Sequence, residues 1–213
     1  MKLYGRRTSS NVQAVLWGAA EMGVELTQIE WGGRHGGNDD PAFRALNPHG
    51  LVPALELGDG EGLFESAAIL RYLSNVHGRD PFWPSDPEAR AHVDMWAEWA
   101  KHTVGRHFIL DVFWAHWRTP EADRDVPAID AAIRTFEGFV DLMPQIGEGY
   151  LAGPDFTLAD VWLGHVLYRY FTLDIVRQAP AALEAYYARI EPRPAFQAHV
   201  MIDYSELKAS LTA

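Results

Sequence analysis

The chain has no cysteine. That excludes disulfides, zinc–thiolate centres and any protein thiol acting as nucleophile. Thiol chemistry on this protein would have to use a ligand's sulfur. Long apolar runs are also missing. No stretch approaches the roughly 20 residues of a membrane-spanning helix, and Met1–Gly5 has none of the apolar character of a signal peptide. The expectation is a cytoplasmic protein with no membrane partner. Basic residues are few, 18 Lys and Arg against 29 Asp and Glu, for a net charge of -11. Nucleic acid is not an expected partner, because neutralising phosphates takes clustered cations. The nine histidines show no ligand spacing: His102 and His107 are five apart and His165 stands alone. No metal is expected. No internal repeat or low-complexity tract is apparent.

The 213 residues, 48% hydrophobic and 22% charged, suffice for one large domain or two small ones. Residues 1–78 read as mixed α/β. Lys2-Leu3-Tyr4 is a short strand, and Ser9-Ser10-Asn11 offers caps for a helix from Asn11 to Met22, ended by Gly23. Leu26 to Trp31 is a second strand, Gly32 to Asn38 a glycine-rich loop, and Asp40-Pro41 opens a short helix to Leu46. Ala54 to Leu57 and Gly62 to Phe64 form a hairpin, and Ser66 to Val76 a helix. Three prolines between Asp80 and Pro87 mark residues 79–87 as a linker.

Residues 88–213 read as all helical. Ala89, Val93, Trp96, Ala100 and Val104 make one apolar stripe within a helix, or pair of helices, over Pro87 to Trp117. Further helices are expected over Val126–Met143, from Thr157 to Phe171, and over Ala181–Glu191 and Pro194–Met201. Thr157 and Asp160 fit a helix-start box and are read as structural. The eight tryptophans are read chiefly as large core residues.

The run Asn47-Pro48-His49-Gly50-Leu51-Val52-Pro53-Ala54-Leu55-Glu56, followed by Phe64-Glu65-Ser66, carries the most functional information. Asn-Pro and Gly force a turn. Pro53 cannot donate to a sheet ladder, so it belongs at a strand start or edge, and it biases Val52 to an extended backbone. A peptide-like ligand could pair with Val52 as an added strand does. Glu65-Ser66 then opens a helix whose N–H groups suit an anion. Edge, acid and helix start together suit a small peptide bearing an amine and a carboxylate.

This pattern resembles the glutathione-binding half of the glutathione transferase family. The α/β half, proline-rich linker and helical half resemble the family's plan over nearly the whole chain. The resemblance implies a thioredoxin-like N-terminal domain and an all-α C-terminal domain, with glutathione as co-substrate and no metal. It implies that Val52 pairs with the cysteinyl portion and that Pro53 is a cis proline. Glu65 would face the γ-glutamyl ammonium, and Ser66 its carboxylate. Leu51 departs from members with Lys or Gln at that place. His49, or Arg34 or His35 in the glycine-rich loop, could contact the glycyl carboxylate instead.

A glutathione thiol, with a reference pKa near 8.5, must be held as thiolate to attack. Hydroxyls and amides at a helix N-terminus favour that anion. By the family's register Ser9, six residues before Val15, is the catalytic candidate. Asn11 falls where a related bacterial group places an Asn against the sulfur. Tyr4 is a third candidate by type, and Ser9 or Ser10 could equally be an N-cap alone. The second substrate is expected against the helical half, in a hydrophobic site containing His107, Phe108, Asp111 and Trp114, unless that cluster only packs helices. The leading function is a transferase adding glutathione to a hydrophobic electrophilic small molecule. The alternatives are a glutathione-dependent disulfide reductase or peroxidase, and a non-catalytic glutathione-binding module. The resemblance also implies a symmetric homodimer.

Overall fold

The computed structural model describes residues 1–209. Four short strands, β1 (Lys2–Tyr4), β2 (Thr27–Ile29), β3 (Ala54–Glu56) and β4 (Gly62–Phe64), form one mixed sheet in the order β2-β1-β3-β4. β1 runs parallel to β2 and antiparallel to β3, which pairs antiparallel with β4. The parallel pair needs a crossover, which α1 (Ser10–Glu21) supplies. This helix is buried on all sides from Val12 to Ala19, because the rest of its own half and the helical half both pack on it.

α2 (Pro41–Leu46) starts where Asp40 accepts from the Ala42 N–H at 2.7 Å, with Pro41 in the first turn. Its Phe43 packs on Tyr4 and Trp31. α3 (Ser66–His77) buries Ile69, Leu70 and Leu73 and lies against α1. The sheet-and-helix half is thus thioredoxin-like, as the resemblance implied.

The segment after α3 is held in its middle from both halves. The Trp83 indole donates to Asn75 Oδ1 at 2.9 Å, and the Phe82 carbonyl accepts from the Leu158 N–H at 3.1 Å. Asp86 then caps α4 (Pro87–Trp99), accepting from Glu88 and Ala89. The same rod continues through looser π-helical turns at Ala100–Gly105 and Phe108–Trp114 and ends in α5 (Ala115–Trp117). The expected helix over Val126–Met143 is α6 (Val126–Gly138) followed by a 3₁₀ turn at Phe139–Leu142. The expected helix from Thr157 to Phe171 is broken at His165 and Val166 into α7 (Leu158–Gly164) and α8 (Leu167–Thr172). α9 (Ala181–Ile190) and α10 (Pro194–His199) complete the helices.

The Thr157–Asp160 box forms, and Asp160 does more than cap. Its buried carboxylate accepts from the N–H groups of Leu151 and Thr157, each at 2.7 Å, from the Thr157 hydroxyl and from the Tyr186 hydroxyl at 2.7 Å. The halves meet where Trp17 of α1 lies on Gly164 of α7. A Cβ at Gly164 would come within 2.6 Å of the Trp17 ring. Arg193 braces the same seam with a two-pronged ion pair to Glu21, at 2.9 and 2.6 Å. Among the described residues, no helix is long and apolar enough to cross a membrane.

Candidate functional site

A cavity of about 440 Å³ lies between the two halves. One wall is built by the loop before α1, the loop before β3 and the start of α3. Ser9 occupies the N-cap of α1 with an extended backbone, yet its side chain makes no capping hydrogen bond. An N-cap serine ordinarily spends its hydroxyl on an N–H in the first turn. Here the hydroxyl is unspent, at a cavity-lining position beside unsatisfied first-turn N–H groups. Asn11 lines the same wall. Its Oδ1 accepts from Ser66 Oγ at 3.2 Å, which leaves the amide N–H₂ as the free end. Tyr4 lies elsewhere, donating to Glu56 at 2.7 Å; that bond holds its phenol pKa above the usual value.

The Val52–Pro53 peptide bond is cis. Val52 lines the cavity two residues ahead of β3, outside its ladder. Leu51 lines it as well and is 64% exposed. Glu65, between β4 and α3, has φ +65°, a region non-glycine residues enter at a cost of about 1 kcal/mol or more. Its carboxylate stands at the cavity rim, 4.0 Å from Lys101 Nζ across the cleft. Ser66 is buried behind it at the N-terminus of α3.

His49, Arg34, His107, Phe108 and Asp111 lie outside this cavity. The Asn47–Gly50 turn, closed by the Gly50 N–H on the Asn47 carbonyl at 2.9 Å, sets the exposed His49 edge-on against Phe64. His49 does not reach the cleft. Arg34, the alternative contact, pairs with Glu206 at 2.8 Å. His107, Phe108 and Asp111 sit on the far side of the rod. His107 bonds the Ala132 carbonyl at 2.9 Å and pairs with Asp111 at 2.9 Å, while Phe108 is buried against Phe136 and Tyr170. Only Trp114 of that expected group faces the cavity.

Winding explains the error. The rod's cleft positions His102, Arg106, Leu110, Trp114 and Arg118 recur every four residues. At 3.6 residues per turn each such step drifts by about 40°, and four steps would carry the row about 160° round the helix. The π-helical turns advance less per residue and cancel the drift. His107, Phe108 and Asp111, expected with Trp114 as one aromatic and polar cluster, therefore lie on a different face from it.

The cavity also has a feature the sequence reading missed. Arg6, Lys101, Arg106, Arg118 and Arg169 line it, with Glu65 the carboxylate among its described lining. Arg169 is buried, and its Nη2 donates to the Thr8 carbonyl at 2.7 Å and to Gln13 at 3.3 Å. Burial pulls the Arg169 pKa down to about 10 and that of His165 to about 3. His165 is therefore a neutral imidazole. Its Nδ1–H is directed at the Trp162 carbonyl at 2.8 Å. The signal for Arg169 was available: a lone cation between Tyr168 and Tyr170 in an apolar run. Among the described residues, no group of three or more His, Asp or Glu could hold a metal ion.

Residues 8–76 match the family described as Glutathione S-transferase, N-terminal domain. The whole chain is 32% identical over 209 residues to Glutathione S-transferase GstB of Escherichia coli strain K12, covering 95% of this chain and 99% of that protein. The chain belongs to the glutathione S-transferase family. A theta class glutathione S-transferase from Xanthomonas axonopodis pv. citri, solved with glutathione bound, superposes on this transferase with a TM-score of 0.85. The two are 43% identical, and the match covers 95% of this chain and 97% of that one. Glutathione transferase F7 of Populus trichocarpa is 26% identical with a TM-score of 0.81, over 95% and 99% of the two chains.

Proposed function

We propose that this transferase binds glutathione along Val52, Glu65 and Ser66, holds its thiolate at Ser9 and directs it at an electrophile seated against the Arg106–Arg118 face. The observation that carries this reading is the unspent Ser9 hydroxyl at the N-terminus of α1, in the cavity shared with Val52 and Glu65. Val52 would exchange backbone hydrogen bonds with the cysteinyl residue, as an added strand does. That register runs the peptide's γ-glutamyl end toward Glu65 and the N-terminus of α3. Glu65 would face its ammonium, and the α3 N–H groups its carboxylate. The sulfur then falls near Ser9, whose O–H donates to the thiolate.

Helix-end N–H groups and the cavity's cations lower the cost of the sulfur's negative charge. Asn11 supports the sulfur from the next position through its free amide N–H₂. In conjugation the sulfur pair forms a C–S bond, the leaving group departs with its bonding pair, and the thiol proton passes to water. Binding in one cavity supplies the orientation. As with relatives named for this activity, a homodimer and a role in detoxification are part of the proposal.

Calorimetric titration with reduced and oxidised glutathione in parallel tests the reading, followed by a screen of electrophiles. Saturable binding of the reduced form that Ser9→Ala leaves in place, with conjugation lost, supports it. Much tighter binding of the oxidised form, with disulfide reduction lost in Asn11→Ala, replaces it with a disulfide reductase. Binding without turnover of any electrophile or disulfide leaves a glutathione-binding module.

A further inference from the structure

The second half of the cleft carries a charge pattern that an apolar substrate site does not need. In a chain of net charge -11, five cations line this one cavity and Glu65 is the carboxylate among its described lining. Glu65 belongs with the glutathione end and pairs with Lys101. The four arginines have no carboxylate within ion-pair distance among the described residues: Arg6, Arg106, Arg118 and Arg169. Arg118 instead lies over the Trp114 ring at 4.9 Å, and Arg169 over Phe113 at 4.5 Å. Arg169 Nε is buried with no hydrogen-bond partner. Burial first, and then Arg118, holds Arg6 below its ordinary pKa against the pull of Glu206 and Glu30, and burial, then Arg6 and Arg118, holds Arg169 below its own.

Like charges gathered in a partly dry cleft cost stability, and an anion among them relieves that cost. Glutathione brings a thiolate and two carboxylates to this cleft, but Arg106 and Arg118 stand on the helical wall, on Trp114's side of the cavity. Between them Trp114, 44% exposed, and Leu110 provide an apolar platform.

We infer that the electrophile is itself an anion: an apolar molecule bearing a carboxylate, its body on Trp114 and Leu110 and its charge met by Arg118 and Arg106 and facing Arg169. This rests on the transferase reading and adds the substrate's class. For a benzylic halide the step is complete as written: the glutathione sulfur bonds the benzylic carbon, the halide leaves with the C–halogen pair, and the thiol proton goes to water.

The test compares two S-substituted glutathiones that differ only in charge: S-(4-carboxybenzyl)glutathione and S-(4-carbamoylbenzyl)glutathione. Titration calorimetry of the full chain is expected to show the carboxylate bound about tenfold more tightly, the scale of one charge-assisted hydrogen bond. The preference is expected to shrink as salt rises. Conjugation rates of 4-(bromomethyl)benzoate and its amide, each divided by its uncatalysed rate, are expected to show the same order. Arg106→Gln and Arg118→Gln, singly and together, are exposed-site changes expected to erase the preference while the melting temperature holds. Equal or weaker binding of the carboxylate, with the amide conjugate bound, overturns the anionic class and leaves the transferase standing. A preference that survives in the folded double variant overturns the assignment to these arginines. Failure of both conjugates to bind overturns the glutathione site itself.

Discussion

The Arg169 guanidinium donates to the Thr8 carbonyl at 2.7 Å, joining α8 of the helical half to the residue directly ahead of Ser9. Thr8 is buried, so removing the donor leaves its carbonyl unpaired. Arg169→Met is expected to cost about 1–3 kcal/mol of stability, read as a fall in the urea midpoint at constant m-value. Arg169→Lys is expected to recover only part of it, because a compact ammonium does not reproduce the planar guanidinium whose Nη2 reaches both Thr8 and Gln13.

Ser9 and Asp86 occupy equivalent helix-start positions and are expected to respond oppositely to alanine. Asp86 accepts from two N–H groups, and Asp86→Ala is expected to lower stability by about 1 kcal/mol with activity intact. Ser9 makes no capping bond, so Ser9→Ala is expected to leave unfolding nearly unchanged. The same change is expected to lower kcat by about ten- to a hundredfold, as for loss of a hydrogen bond of roughly 1.5–3 kcal/mol to a charged group. Ultraviolet titration of the bound thiolate is expected to show its pKa raised.

Between α7 and α8, burial holds His165 neutral down to about pH 3, whereas an unfolded histidine titrates near 6.5. The unfolded chain therefore binds the extra proton between these values, and stability from this group falls as pH drops from 6.5 toward 3. At pH 5 the loss is on the order of 2 kcal/mol. Urea unfolding of His165→Gln against the parent is expected to show a shallower acid limb across that window. An identical slope would mean the imidazole takes up its proton without unfolding.

The Asp160 carboxylate receives four hydrogen bonds from three residues. Asp160→Ala strands buried donors on Leu151, Thr157 and Tyr186, and is expected to cost about 3–5 kcal/mol, beyond the loss of one cap. Asp160→Asn is expected to recover only part, since its N–H₂ would face donors where an oxygen now accepts. Thermal unfolding of the two variants separates these expectations.

The thioredoxin-like half was legible because its signals are local. Pro53 stands at the start of a strand, β3, that is paired on both sides, Gly50 closes a turn, and Ser9 and Glu65-Ser66 start helices within a few residues of their cues. The helical half was legible as helix but not as a surface. Of the apolar stripe, Val93, Ala100 and Val104 are buried, Trp96 is half-buried and Ala89 is exposed, and ordinary winding ends at Trp99. From Ala100 the winding changes, and nothing local in Lys101–Trp114 announces it. His107, Phe108 and Asp111 lie outside the cavity for that reason, while Arg118 went unrecognised. Arg169 reaches a carbonyl 161 residues away in sequence, a partnership no local pattern encodes.

The looser turns at Ala100–Gly105 and Phe108–Trp114 make the chemistry of the cleft a matter of phase as much as of composition. Excising one residue from either turn while the rod keeps its winding would swing everything downstream by about a quarter of a revolution, retiring Trp114 and Arg118 from the cavity and presenting neighbours in their stead. Changes of chain length here are rotations, and a single one can exchange the whole wall that an electrophile meets.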